Sequence, residues 1–256
     1  MQPYYETGFE LTARDVDFAG RFRPSAVFTR MQEDGEVHAH ALGFGREALL
    51  ARGLIFVLFR AQLRMSSYPV MGERVVHRTW PGQSSRFFCP RYHTFSSPDG
   101  AALGAASTLW AVVELESRAM RSPLKAGISM PDTSALTPPL AAPEHVEQLG
   151  GPAQLRRHVA AYSDLDVNSH VNNARYIDWI CDSLPVGLHS THALNTLLVN
   201  YAKEIRPQTE VSLGVIQSDG QFSFFAQDAQ GQRFFEASGS FIPWTDGRRF
   251  ERRIDR

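Results

Sequence analysis

One short segment gathers several groups able to move protons or steady a negative oxygen: Tyr162-Ser163-Asp164-Leu165-Asp166-Val167-Asn168-Ser169-His170-Val171-Asn172-Asn173. If residues 164–170 are extended, Asp164, Asp166, Asn168 and His170 fall at alternate positions and point to one side, directly before a helix. A carboxylate there could deprotonate or orient water. An imidazole, with an ordinary pKa near neutrality, could position groups or assist a departing group. The free N–H groups and partial positive charge of the helix end suit an oxygen that turns negative when water attacks a carbonyl. Singly, each residue would more often be a cap or a local hydrogen bonder. The whole string points to acid–base chemistry that needs no metal or cofactor.

The elements that must position these groups follow from periodicity. Asn172 or Asn173 caps a helix carrying Tyr176, Ile177, Ile180, Cys181 and Leu184 on one face, and Pro185 stops it. Strands are expected at 196–205, 210–217, 222–227 and 233–242. Earlier in the chain a helix runs from Pro24 to Leu42, with Val27, Phe28 and Met31 at helical spacing and Gly43 as a left-handed cap. Strands at 56–63 and 103–115 follow, with a turn at Ser97-Pro98-Asp99-Gly100.

Residues 122–154 are rich in Pro, Ala and Gly and read as a linker between two halves, 1–121 and 155–256. The halves repeat: Asp15-Val16-Asp17 aligns with Asp164-Leu165-Asp166, and Met71-Gly72-Glu73-Arg74-Val75 meets Gln208-Thr209-Glu210-Val211 after a loop of different length. The alignment sets Ala19 and Arg21 opposite Asn168 and His170, so the first half lacks that pair and a fold alone requires neither. One helix wrapped by a curved antiparallel sheet, present twice, is an α+β double hotdog.

Composition narrows the function classes. The 256 residues suffice for one large domain or two, and 26 basic against 27 acidic residues argue against nucleic acid as a partner. No run approaches the length of a membrane span, and the first residues lack the pattern of a signal peptide. Two distant cysteines, Cys89 and Cys181, fit no disulfide framework or zinc site and suit a reducing cytoplasm. Cys181, on the apolar helix face, reads as a small core residue.

The string Asp164 to Trp179, DLDVNSHVNNARYIDW, closely resembles the central motif of the acyl–acyl carrier protein thioesterases of plant plastids and bacteria. The resemblance extends to LIFVLFRAQLRMSSYPVMGERV in the first half, so most of the chain is covered. It implies that Asp166, Asn168 and His170 are the family's D-x-N-x-H residues, and that Glu204 in Tyr201-Ala202-Lys203-Glu204 helps to activate water. The chain departs from the plant enzymes at Ile205, where they carry a cysteine once taken for a nucleophile. Isoleucine cannot form an acyl-enzyme, so direct attack by water is favoured. Either Asp166 or Glu204 could be the base, with Glu204 preferred.

By the same resemblance the substrate is a fatty acyl chain on acyl carrier protein, held in a tunnel of the first half. Met31, Phe56, Leu58 and Met65 are candidate tunnel residues, although such spacings more often mean plain core. Arg248, Arg249, Arg252, Arg253 and Arg256, with Arg156 and Arg157, offer charge for an acidic carrier. The rivals are a coenzyme A thioesterase, an enoyl-thioester hydratase and a non-catalytic acyl sensor. Hydratases typically read D-x-N-P-x-H, unlike this chain, and a sensor would need an output element that is not evident here. A tandem hotdog already contains the pair that simpler hotdogs build from two subunits, so a monomer or a homodimer would serve.

Overall fold

The computed structural model describes residues 2–244; the expected basic cluster from Arg248 to Arg256 lies outside the described residues. The elements are β1 (Tyr5–Glu10), α1 (Pro24–Ala41), α2 (Arg46–Leu50), β2 (Leu54–Met65), β3 (Arg74–Pro81), β4 (Phe88–Ser96), β5 (Ala102–Glu114), the short β6 (Met120–Arg121), β7 (Gln154–Val159), α3 (Asn173–Asp182), α4 (Val186–Thr191), β8 (His192–Tyr201), β9 (Glu210–Ser218), β10 (Gln221–Gln227) and β11 (Arg233–Pro243). The strands form one sheet in the order β1-β3-β4-β5-β2-β8-β11-β10-β9-β7, with β6 beside β5. The halves join where β2 pairs antiparallel with β8, Arg60 opposite Asn200 and Arg64 opposite Thr196.

Local sequence explains the helices. Pro24 opens α1, where its missing N–H is no loss, and Gly43 takes φ +86° just past its end. Asn172 caps α3 by accepting a hydrogen bond from Ala174 N at 2.8 Å. The second helix is shorter than expected, 10 residues against 18 in α1, since Pro185 follows closely and cannot continue it. α1 packs against α3. Val27, Phe28 and Met31 from one, and Tyr176, Ile177 and Ile180 from the other, share a core with Leu63, Met65, Leu197, Val199 and Phe235 of the sheet.

Five strands were not expected from the sequence, one of them the two-residue β6. In β3 and β4 the inward positions include His77, Thr79, Arg91 and His93, all buried, so polar residues hide the alternation. β1 and β7 lie at the two ends of the sheet and bury little. The strand expected at 196–205 runs instead over His192–Tyr201. Beyond it, Ala202 N and Lys203 N both donate to Phe234 O, at 2.9 and 3.0 Å, which ends regular pairing and leaves Glu204 in a loop.

Between Arg121 and Gln154 the chain holds no helix or strand. It is tied to both halves by Thr133 Oγ1 donating to Pro81 O, Ser107 Oγ donating to Ala141 O, and Leu149 N donating to Ser223 Oγ. No described helix is long and apolar enough to cross a membrane.

Beneath α1 lies a buried polar network. Asp34 Oδ2 is 2.6 Å from His77 Nδ1, and His77 Nε2 is 3.1 Å from His93 Nδ1. Arg91 donates to Thr79 Oγ1 at 3.2 Å and to His38 Nδ1 at 3.3 Å. Burial lowers the pKa of all three histidines, that of His38 to about 4 with the Arg91 charge adding to the effect. One set of neutral tautomers satisfies the chain, with His77 donating to Asp34 and accepting from His93. The unfolded chain takes up protons below about pH 6.5 that the folded one refuses, so stability must fall as pH drops. Between about pH 6.5 and 5 the expected loss is ~2 kcal/mol for each histidine that stays neutral, read as a falling urea midpoint. A flat profile over that range would contradict neutral burial.

Candidate active site

Residues 165–171 form a tight loop rather than an extended strand, which corrects the expected alternation. Leu165 and Val171 pair as a bridge, Asp166 N donates to His170 O at 2.8 Å, and Ser169 turns the chain at φ +59°. Asp164 therefore does not join the cluster. It ends a 3-10 turn, Tyr162–Asp164, and is buried, accepting from Ala161 N at 2.8 Å and Trp179 Nε1 at 3.2 Å.

The Asp166 carboxylate faces into its own loop. Its Oδ1 accepts from Asn168 N at 2.8 Å and His170 N at 3.4 Å, and its Oδ2 accepts from Asn168 Nδ2 at 3.4 Å. In the first half Asp17 does the same, its Oδ1 accepting from Ala19 N at 2.9 Å and Arg21 N at 3.0 Å. Gly20 there takes the left-handed turn that Ser169 takes here. The carboxylate at this position shapes the loop in both halves.

One backbone hydrogen bond brings the other two residues together. Val171 N donates to the carbonyl of buried Ile205 at 2.9 Å, and the neighbours of that pair are His170 and Glu204. His170 Nε2 stands 3.3 Å from Glu204 Oε2, with 23% and 35% of the two side chains exposed, so water reaches both. The equivalent bond, Phe22 N to Pro69 O at 2.9 Å, puts Arg21 beside Tyr68 in the first half. There the guanidinium is taken by Asp17 Oδ2 and His192 O, both at 2.8 Å, and Tyr68 donates to Leu194 O at 2.8 Å. That half spends its polar groups on joining the two hotdogs.

Two arginines of the first half complete the cluster. Arg118, in a left-handed turn at φ +57°, spans Glu204 with NH1 3.4 Å from Oε1 and NH2 3.2 Å from Oε2. Arg46, opening α2, donates to Asn168 Oδ1 at 2.9 Å. Sequence reasoning missed both. Their partners lie 86 and 122 residues away, and nothing local distinguishes them from other exposed arginines. The amino end of α3, expected as an oxyanion site, has its Ala174 and Arg175 N–H groups taken by Asn172.

Against α1 opens a cavity of about 500 Å³, counting its mouth and the solvent there, walled by Phe44, Phe56, Cys89, Trp110 and Met130. Glu36 stands at its edge and accepts from Arg46 N at 2.6 Å, so cavity and cluster share that joint. Of the expected tunnel residues Phe56 lines it; Met31 and Met65 belong to the main core, and Leu58 is buried elsewhere. Cys181 is half-buried, and burial pushes its thiol up to about 12, which keeps it protonated and unreactive at neutral pH.

Two helices on one curved antiparallel sheet, built from related halves of which one keeps a histidine–carboxylate pair, define a double hotdog of the α+β class. The N-terminal domain of acyl-ACP thioesterases matches residues 2–125 and the C-terminal domain matches residues 152–242. The chain belongs to the acyl-ACP thioesterase family.

Among relatives, a chloroplastic acyl-[acyl-carrier-protein] hydrolase of Cuphea viscosissima is 30% identical over 180 residues, covering 64% of this chain and 41% of its own length. A chloroplastic oleoyl-acyl carrier protein thioesterase of Arabidopsis thaliana is 28% identical over 225 residues, covering 78% and 60%. The chain thus spans about half the length of these relatives. The same fold occurs in an acyl-ACP thioesterase from Bacteroides thetaiotaomicron, with TM-score 0.83, 23% identity and coverage of 94% of this chain and 98% of that one. It occurs also in the 12:0-ACP thioesterase from Umbellularia californica, with TM-score 0.83, 21% identity and coverage of 95% and 99%.

Proposed function

We propose that the protein hydrolyses fatty acyl thioesters carried on acyl carrier protein and releases free fatty acids. The observation that carries this reading is the water-accessible pair of His170 and Glu204, whose loop is tied through Asn168 and Arg46 to Glu36 at the edge of a largely apolar cavity. In this scheme Glu204 takes a proton from water as the water oxygen attacks the thioester carbonyl. The C–S bond then breaks, and the proton passes through His170 to the departing thiolate. Asn168, steadied by Arg46, orients the reacting groups, and Asp166 holds the loop that carries them.

The first hotdog, 1–121, holds the acyl chain, 122–154 connects, and the second, 155–256, supplies the chemistry. In this scheme Arg156 and Arg157 offer charge to an acidic carrier, as do the arginines from 248 to 256, which lie outside the described residues. Arg157 is already paired with Glu210, and Arg156 reaches Asp182 O at 3.4 Å. The two cysteines, free in this fold, suit work in the cytoplasm, as a monomer or a homodimer.

Free-thiol release from acyl carrier protein and coenzyme A thioesters of matched chain length tests the proposal. The expected result is a kcat/KM at least ~10-fold higher for the carrier-bound substrate, the size of preference that ~1.4 kcal/mol of carrier contacts would give. Turnover of coenzyme A thioesters alone would make it a coenzyme A thioesterase, and binding without thiol release would make it a sensor.

A further inference from the structure

The cavity against α1 is not uniformly apolar. Phe44, Phe56, Trp110 and Met130 form its hydrocarbon walls, but Gln32 and Arg91 also face it. Gln32 Nε2 is buried with no hydrogen-bond partner. Arg91 is 8% exposed, and its guanidinium uses only NH1 in hydrogen bonds, to His38 and Thr79. Among the described residues no carboxylate lies within 4.0 Å of it, and the Glu36 charge acts on it only from farther off.

A plain hydrocarbon chain would leave these donors facing methylene groups. An unmet buried donor costs about 1–3 kcal/mol. We propose that the cavity selects an acyl chain bearing a neutral oxygen, a hydroxyl or a ketone, which accepts hydrogen bonds from Gln32 and Arg91. A carboxylate on the chain fits less well, because Glu36 sits on the same cavity edge, one helical turn from Gln32, and would repel it. The Glu36 carboxylate can instead accept the proton of a hydroxyl. The inference deepens the acyl-thioester reading given above and rests on it for the identity of the chain.

Binding and hydrolysis separate the two ideas. Titration calorimetry with dodecanoic acid, with its isomers carrying one hydroxyl or keto group at successive carbons, and with the corresponding diacid measures the cavity without any chemistry. At least one hydroxy or keto isomer should bind ~10-fold or more tighter than the plain acid, the gain of about one hydrogen bond to a buried donor. Gln32→Leu, at a half-buried position where folding should survive, and Arg91→Met should each erase that preference, with the plain acid bound at least as tightly as before because the unmet donor is gone. Equal binding of the plain acid and every oxygenated isomer would overturn the proposal, as would a preference that survives both substitutions or a diacid that binds tightest. Thiol release from the same chains on acyl carrier protein is scored separately. Release from plain chains with no oxygen preference keeps the hydrolase and removes this inference; oxygen-selective binding without release does the reverse.

Discussion

Glu204→Gln should lower kcat for acyl–carrier hydrolysis by ~10²- to 10⁴-fold, the usual contribution of a general base, with little change in KM. The amide keeps the size of the side chain and can still meet His170, so the loop and cavity should persist while the capacity to take a proton is lost. His170→Ala should cost ~10²-fold or more, because the imidazole both orients Glu204 across 3.3 Å and relays its proton. Steady-state thiol release measures both, with thermal unfolding as the check on folding. Near-normal turnover in the two variants would remove the pair from the mechanism.

The second large effect separates the two carboxylates. Asp166→Ala should abolish most activity, because it removes the acceptor of Asn168 N and His170 N and frees the loop. Asp166→Asn should retain activity within ~10-fold of the unaltered protein, since its amide oxygen can accept the same backbone bonds. If Asp166 were the base, the asparagine variant would be as inactive as Glu204→Gln. The first half provides the physical precedent: Asp17 makes the same bonds where no chemistry is proposed. Asp17→Ala should therefore destabilise without touching the active cluster, by ~3–5 kcal/mol, as it strands the buried Arg21 guanidinium.

Much of the architecture was legible because it is written in local signals. Pro24 and Gly43 bracket α1, Asn172 and Pro185 bracket α3, and β2, β5, β9, β10 and β11 carry enough apolar residues to declare themselves. β3 and β4 were silent because their inward residues are histidine, arginine and threonine, which read as solvent-facing until the network beneath α1 is seen. The alternation expected at residues 164–170 failed for a different reason. Asp164 and Asp166 each accept backbone N–H groups within a few residues, and such local bonds bend the chain out of the extended form.

The sequence by itself determined which groups are available and how they are shared between the repeats: it places an aspartate, an asparagine and a histidine in the second and shows the last two missing from the first. Only the tertiary structure decided what those groups meet. A backbone bond from Val171 to Ile205 sets His170 against Glu204, and Arg118 and Arg46 reach across from the other hotdog. Those contacts depend on the pairing of β2 with β8, a long-range event that no spacing along the chain encodes, whereas caps, turns and repeats are settled between neighbours.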